Sequence, residues 1–466
     1  MYIYLAFLAF LFLIAVILVN VSWRLRRRVG SDVCKETIST EPNLGDHTYT
    51  SPFSVNNILT LHSLTPLDGG FPIILMNIDF IHSSLSSILL RPLLLLLLCT
   101  GTVFGQYHIY WGDVHGHSSL SDGKGSPDDY FTHARDVARL DFAILTDHDF
   151  GNGRPQWRMP KENWTLVQDK ADEFNATGRF VAIGGYEWTS QAKYWSGFTN
   201  GPTERLFPGP PKFYNHKNVY FTNRIGYLFS AKDVAYNNPD TLAEAVRRQG
   251  GLIQNNHPFA LFNEAGDQWE YVPANSSVIV NTEMGLDVSR HKGRTYELNW
   301  EKSLREFLNR GGRTGFVAGS DSHEGRPAAR TAVLATELTC EAVFDALRHR
   351  RNYAINHARI SLDFRINGHF MGEEIESAGK PQIMVDVKGT APVEEIVIVR
   401  DGNVLHALRS QKQNVSFAYV DETFAGPSYY YLRVIQTDTD PHGNRSHAWS
   451  SPIWVSRSQS GIQNLH

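Results

Sequence analysis

The sequence predicts an α/β protein, a closed βα barrel followed by a small antiparallel β-sandwich. Three observations predict it. From Gln106 onward short apolar runs alternate with helical stretches. Residues able to ligate a metal fall at the carboxyl ends of those runs. From Ile360 the apolar period shifts toward two. Strands alternating with helices argue for a parallel sheet with crossover connections. In a closed sheet the strand carboxyl ends converge on one rim, whereas an open sheet spreads them along a line.

Seven runs carry the first part: "HIYWGDV", "DFAILT", "RFVAIGG", "KNVYFT", "GGLIQN", "SVIVNT" and "GFVAGS". Helices are expected in "PDDYFTHARDVARL", "DTLAEAVRRQG", "NWEKSLREFLNRGG" and "CEAVFDALRHRR". The first opens on Pro127 with Asp128 and Asp129 at its positive end. Gly250 and Gly311 are expected to end the second and third. Cys340 reads as a partly buried residue at the start of the fourth. In the second part, "ISLDFRING", "QIMVDVKG", "EEIVIVRDGN", "VSFAYVD", "YYYLRVIQTD" and "SSPIWV" read as strands divided by turn residues, with "RDGN" a hairpin signal. The expected domains are therefore a barrel over 106–359 and a sandwich over 360–466, the latter for packing and stability.

Residues 1–105 read as a hydrophobic leader region. Residues 1–23 are a candidate membrane anchor, with "RLRRR" behind it to hold that end in the cytoplasm. Residues 31–75 read as a linker. Residues 76–105 resemble a secretory signal, with Val103 and Gly105 as small residues before Gln106. Either both hydrophobic segments are real, or the true start is Met76. Both readings place the body outside the cytoplasm, periplasmic or secreted, with membrane contact only through a retained anchor.

A formal net charge of −4 over 466 residues argues against nucleic acid as the main partner. Three cysteines can build neither a disulfide framework nor a cysteine-rich zinc site. Histidine is the unusual residue, with 19 copies, many beside Asp, Asn or Pro.

The ligand-type residues are His115 and His117, Asp122, His148, Glu187, His216, His257, Asp321 and His323. Singly, each has an ordinary reading: "NHP" as a turn, "SDSH" as a helix cap, "TDHD" as solvated charge. Jointly they recur at strand ends over more than two hundred residues, with His216 the exception because it precedes its run. The two residues of His115-x-His117 face the same way on an extended segment. Imidazole and carboxylate shells suit Zn²⁺, Mn²⁺ or Fe²⁺, and nine ligands suit two or three ions, with Glu187 able to bridge two.

These residues, in the contexts "SDG", "TDH", "GYE", "NHP" and "DSH", resemble the PHP (polymerase and histidinol phosphatase) superfamily over about residues 106–360. The likeness is strongest to its secreted branch of unknown function, and the tail "SYYYLRVIQTD…AWSSPIWV" resembles that branch too. The resemblance implies a distorted barrel of seven βα units with a trinuclear site. By position, one ion would be held by His115, His117, Glu187 and Asp321. A second would take Glu187 as bridge with His216 and His257. The third would take Asp122, His148 and His323.

The expected activity is that of a metal-dependent hydrolase, most simply a phosphoesterase whose bridging ions activate water. The substrate would be a small or extracellular phosphoester. Glu187, Asp321 and His257 are assigned the catalytic part. No G-x-S-x-G elbow or cysteine nucleophile is present, and Ser320 and Ser322 read as turn residues. Arg326, Arg330, Arg154 and Lys193 are candidates for holding a substrate anion. Asp113, Asp147 and Asp149 adjoin ligand histidines, as carboxylates that fix imidazole tautomers or as turn charges. Trp157, Trp188, Tyr194 and Trp195 either wall a pocket or fill a loop core. Glu283 ends the sixth run facing the same rim, with no ligand role assigned, and His357 reads as a surface histidine. The competing functions are a metal-stabilised extracellular binding protein without turnover, and a hydrolase of a non-phosphate ester or amide.

Overall fold

A computed structural model describes residues 107–151, 154–190, 214–258, 276–284, 304–440 and 443–458, the side chains of 154–157 excepted. The amino-terminal leader, linker and signal-like segment lie outside the described residues, as do Lys193, Tyr194 and Trp195. Among the described residues no helix is long and apolar enough to cross a membrane.

The seven runs form β1 (His108–Asp113), β2 (Phe142–Leu145), β5 (Val181–Ser190), β6 (Asn215–Tyr220), β7 (Leu252–Asn255), β8 (Ile279–Glu283) and β9 (Gly315–Val317). A short hairpin, β3 (Phe150–Gly151) with β4 (Arg154–Arg158), follows β2. Helix α1 (Pro127–Thr132) starts on a capping box between Ser126 and Asp129, and its course continues as a π-turn over His133–Val137. Helix α2 (Lys161–Phe174) is not among the expected segments. Its apolar stripe, Trp164, Val167 and Ala171, is short but buried. In α3 (Pro239–Arg248) the Asn238 side chain caps Thr241 N, and Gly250 follows in the left-handed region, as a helix end requires. Helix α4 (Cys340–Arg348) is capped by Thr339, with Cys340 half-buried at its start.

The expected all-parallel sheet is corrected to a mixed one. The pairs β1–β2, β2–β5, β7–β8 and β8–β9 are parallel, but β6 runs antiparallel to both β5 and β7. The cause is one reversed strand. The linking sequence "KYWSGFTNGPTERLFPGPPKF" has no helical period, so nothing in it favours a crossover that would return β6 parallel. Once β6 is reversed, both its ladders must be antiparallel.

Two strands outside the seven continue the sheet beyond β1. Both β10 (Thr331–Ala335) and β11 (Asn352–Ile355) pair antiparallel, and β11 passes on to β20 (Arg445–Ser450). One ladder thus crosses the expected boundary at residue 360. The strand β9 ends the path. Its outer edge is satisfied by side chains instead of a ladder. Phe316 N donates to Ser451 Oγ (2.8 Å), Asn352 Nδ2 donates to Phe316 O (2.8 Å), and Thr331 Oγ1 bonds both Ala318 N and O (2.9 and 2.7 Å). These groups belong to β10, β11 and the residue after β20, so the end of the ladder is hydrogen-bonded back to its middle.

Strand alternation divides the polar from the apolar. On one face of the sheet Phe142, Ile144, Val181, Ile183, Tyr220, Leu252 and Val317 form a dry cluster with Phe344 and Leu347 of α4. Two and four residues further along those strands, on the same parity, stand Glu187, Asn218, His216, Gln254 and Asn256, all buried.

A four-stranded sheet holds β12 (Ser361–Ile366), β13 (His369–Phe370), β15 (Gln382–Lys388) and β18 (Asn414–Val420). The larger sheet takes β14 (Glu374–Ser377), β16 (Val393–Arg400), β17 (Asn403–Arg409), β19 (Ser428–Thr439), β20 and β21 (Ile453–Arg457). These strands pair antiparallel except β14 with β21, a parallel pair that corrects the expected all-antiparallel sandwich, and three of the ladders carry register shifts. The "RDGN" turn closes β16 on β17, pairing Arg400 with Asn403.

Candidate metal centre

Backbone hydrogen bonds join four strand ends in two pairs. His117 N donates to Ser322 O (3.0 Å) and Asp321 N to His115 O (3.0 Å), so the first and last ligand segments lie side by side. Glu187 N donates to Asp147 O (2.9 Å) and Asp149 N to Glu187 O (2.8 Å), placing His148 beside Glu187. The reversal of β6 explains the anomaly of His216. In an antiparallel strand the amino end reaches the rim that its neighbours reach with their carboxyl ends, and His216 sits opposite Thr189.

Glu187 is the hub. Its Oε1 lies 3.4 Å from His115 Nε2, 3.0 Å from His216 Nδ1 and 3.4 Å from His257 Nε2. Its Oε2 lies 2.8 Å from His148 Nδ1 and 3.6 Å from His117 Nε2. Asp321 Oδ1 lies 3.4 Å from His115 Nε2 and 3.1 Å from His117 Nε2. Asp122 Oδ1 lies 3.4 Å from His323 Nε2 and 3.6 Å from His148 Nε2. All nine sequence-predicted ligands are therefore brought into one cluster. Its outer end is the more accessible, with Asp122 and His323 side chains 31% and 33% exposed against 0–1% for His115, His117 and Glu187.

These residues fit a metal. Donor atoms bound to one ion through bonds of ~2.1 Å sit about 3.0–3.4 Å apart in octahedral or tetrahedral shells. The contacts above span that spacing, and most are too long for hydrogen bonds. Nε2 of His115 and Nε2 of His216 are buried without a hydrogen-bond partner, which a neutral imidazole tolerates poorly unless its lone pair is used.

The electrostatics favour added positive charge. Burial alone would raise Glu187, but His148, His216 and His115 hold it well below the usual carboxylate range. Asp321 and Asp122 are likewise lowered by neighbouring imidazoles against their burial. Burial pulls His216 down to about 4 although Glu187 opposes it. His323 is raised to about 9, Asp122 and Asp321 outweighing its burial. His115 is raised well above its ordinary value, since Glu283, Asp321 and Glu187 outweigh its burial.

Two of the nine candidates sit on strained backbone: His257 at φ 25° and Asp321 at φ 47°. Left-handed backbone costs an ordinary residue roughly 1–2 kcal/mol, and such positions gather at functional sites.

The three neighbouring aspartates are corrected. They neither fix imidazoles nor act as solvated turn charges; each is a buried anchor for a loop. Asp113 accepts from Ser320 N (3.0 Å) and Ala328 N (2.9 Å), pinning the loop that carries Asp321 and His323. Asp147 accepts from Ser118 N, Ser118 Oγ and Ser121 Oγ (2.8, 2.6 and 2.6 Å), shaping the turn between His117 and Asp122. Asp149 accepts from Ser230 Oγ, Ala231 N and Lys232 Nζ (2.8, 2.7 and 2.9 Å). Ser320 and Ser322 are turn residues: Ser320 Oγ donates to His115 O and Ser322 Oγ accepts from Arg326 N. Trp188 fills a loop core, its Nε1 donating to Tyr236 O (2.9 Å), and His357 is exposed.

Arg326 is exposed and Arg330 half-buried; among the described residues neither guanidinium is in an ion pair. Arg154 lies in β4 and its side chain, with that of Trp157, is outside the described set.

Sequence reasoning missed the amides behind Glu187. Asn256 Nδ2 donates to Glu187 Oε1 and Asn218 Oδ1 (both 2.8 Å), and Gln254 Nε2 donates to Asn256 Oδ1 (3.1 Å). The signal was there in the spacing: Asn218 two after His216, and Gln254 two before Asn256. It also left Glu283 without a role, although Glu283 touches His115 (3.2 Å).

No family model matches the chain. Curated relatives are uncharacterised proteins of Chlamydia muridarum, Chlamydia trachomatis and Chlamydia pneumoniae, 27%, 27% and 25% identical over 75% of this chain and 57% of each relative. The chain thus spans little more than half the length of the curated relatives it matches. Among solved structures, it is similar to a two-domain protein from Bacteroides vulgatus containing a predicted PHP-like metal-dependent phosphoesterase, at 15% identity and TM-score 0.34, covering 74% of this chain and 95% of that one. It is also similar to a protein from Bifidobacterium adolescentis assigned, again by prediction, as a metal-dependent phosphoesterase, at 12% identity and TM-score 0.28, covering 51% of this chain and 96% of that one. At this level of likeness the chemistry has to be read from the residues themselves.

Proposed function

We propose that this chain is a metal-dependent phosphoesterase of the PHP kind, acting outside the cytoplasm on a small or extracellular phosphoester. The observation that carries the reading is the setting of Glu187. One carboxylate, 1% exposed, lies within 3.6 Å of ring nitrogens from five histidines on four strand ends. Five imidazolium rings would outnumber the carboxylates in reach of them, Glu187, Asp321, Glu283 and Asp122, and neutral rings gain little from crowding around Glu187. Divalent cations between carboxylates and imidazole lone pairs remove the conflict.

His115, His117, Glu187 and Asp321 would hold one ion. Glu187 with His216 and His257 would hold a second. Asp122, His148 and His323 would hold a third at the accessible end. Such ions, Zn²⁺, Mn²⁺ or Fe²⁺, supply a water of near-neutral pKa and a field that draws phosphoryl oxygens. The chain's own part is rigidity and charge: Asp113 and Asp147 fix the loops that bring the ligands in, and Asn256 keeps Glu187 from turning. Arg326 and Arg330, neither in an ion pair among the described residues, are the guanidinium groups we assign to the substrate anion. The sheet whose end strand β9 is bonded back to β10 and β11 is, in this reading, the distorted seven-unit barrel, and the carboxyl-terminal strands are a packing sandwich.

The test uses the full chain, stripped by chelator and reloaded with Zn²⁺, Mn²⁺ or Fe²⁺, against a panel of phosphate mono- and diesters. Hydrolysis that disappears on chelation and returns on reloading is the expected result. Metal-loaded protein inert toward the whole panel, or active only on carboxylic esters or amides, overturns the phosphoesterase assignment.

A further inference from the structure

We propose that Glu283, at the carboxyl end of β8, is a positioning residue that sets two ligands of the centre at once, selecting the tautomer of His115 and holding the backbone of His257. The inference rests on the metal-dependent reading above and adds to it a residue outside the nine ligands.

Both oxygens of Glu283 lie 3.2 Å from His115 Nδ1. A carboxylate only accepts, so the proton of a neutral His115 ring resides on Nδ1. Nε2 is then a bare lone pair, and it is the atom that lies 3.4 Å from both Glu187 and Asp321. Carboxylates that hold the far nitrogen of a ligand histidine fix its ring and raise its basicity. The same Glu283 Oε2 accepts from His257 N at 3.0 Å, at the residue whose φ is 25°. One carboxylate therefore orients a ring from β1 and restrains an unfavourable backbone turn after β7.

A third observation comes from the other side of the dyad. A Cβ at Gly319 would overlap both His115 Cβ and Glu283 Oε1, so the sequence leaves space there for this contact. Glycine at 319 does not have a positive φ, so conformational freedom does not account for it.

The competing arrangement makes Glu283 a direct ligand, since His115, His257 and Glu283 also offer donor atoms within reach of one ion. That would commit His115 to Nδ1 and leave Nε2 facing Glu187 and Asp321 unused. It would also share Oε2 with a backbone N–H. The positioning role uses every contact in place.

The experiment compares wild type, Glu283→Gln and Gly319→Ala as full chains. Zn²⁺ affinity is read by chelator competition, ions per chain by elemental analysis, and ligand geometry by the visible absorption of the Co²⁺-loaded forms. In Glu283→Gln the amide would direct a donor at the Nδ1–H of His115 or at the N–H of His257. The expected result is a ~10–100-fold weaker affinity and a shifted Co²⁺ spectrum in both variants. Ion number at saturation should not change in either variant, nor should the melting temperature of the stripped Glu283→Gln protein; the buried overlap in Gly319→Ala lowers that temperature. Unchanged affinity and spectrum in Glu283→Gln overturn the proposal. Loss of one ion per chain, with the rest bound as tightly as before, overturns it in favour of a direct ligand. Wild type that binds no ion overturns the metal-dependent reading itself, an outcome distinguishable from either.

Discussion

Strands β12 and β15 and strands β5 and β6 are both antiparallel pairs six residues deep. Along β12 and β15 the side chains alternate: Leu362, Phe364, Ile366, Ile383, Val385 and Val387 are buried, while Asp363, Arg365, Gln382 and Met384 face outward. Arg365 pairs with Asp363 on the wet face, where it adds little. The six residues of β6 and their partners on β5 are all buried, polar ones included: Glu187, Thr189, Asn215, His216, Lys217 and Asn218. A sheet with one dry face is stabilised by apolar area. A sheet buried on both faces around a cluster of donors is held by specific hydrogen bonds and, on our reading, by ions. Polar burial of this density costs unless every group is paired, so the same ladder geometry has opposite sensitivities in the two places.

Three changes break or sharpen that contrast, beside the two experiments above. The largest effect is expected at the hub. Glu187→Gln keeps the shape and removes the charge shared by five imidazoles. Ion affinity should fall by more than about 100-fold, with at least one ion per chain lost on dialysis. Retention of the full ion count in that variant would remove Glu187 from the centre. Leu432→Ala, on β19 and fully buried, tests the other region. It should cost about 2–5 kcal/mol by urea unfolding and leave the ion count at saturation unchanged. If ions are lost in step with stability, the two regions are not separable in the way the comparison holds.

The smallest effect is one of pH. His447 is pushed down to about 4 by burial, with Arg433 and Arg445 adding to it. The unfolded chain therefore binds more protons than the native one between about pH 6.5 and pH 4. This residue's contribution to stability is lost as pH falls through that window and is flat above it. His447→Gln should flatten the slope measured by unfolding between pH 7 and 4.5, with no effect on metal content.

Legibility in the sequence follows the same division. The carboxyl-terminal strands are readable because one dry face imposes a period of two, and "RDGN" fixes a register that the β16–β17 ladder bears out. The clustering of the nine candidate ligands is readable because histidine and aspartate at strand ends have few structural uses in common. The direction of β6 is not readable, since apolar content is the same in either orientation, and the exceptional position of His216 was its only trace. Asp113, Asp147 and Asp149 look like imidazole partners because they are neighbours in sequence; in space their carboxylates are turned toward loop amides and hydroxyls. Glu283 is the converse, 168 residues from His115 along the chain and in contact with it.

The sequence by itself determined which chemistry is available: donors of the right hardness, their recurrence at the ends of apolar runs, and the change of period at residue 360. Those are local properties, set by residue type and by the two-residue repeat of an extended chain. Only the tertiary structure decided that Glu283 reaches an imidazole, that Asp113, Asp147 and Asp149 do not, and which way β6 runs. Those depend on contacts between segments far apart in the chain, and no local preference encodes a distance across the sheet.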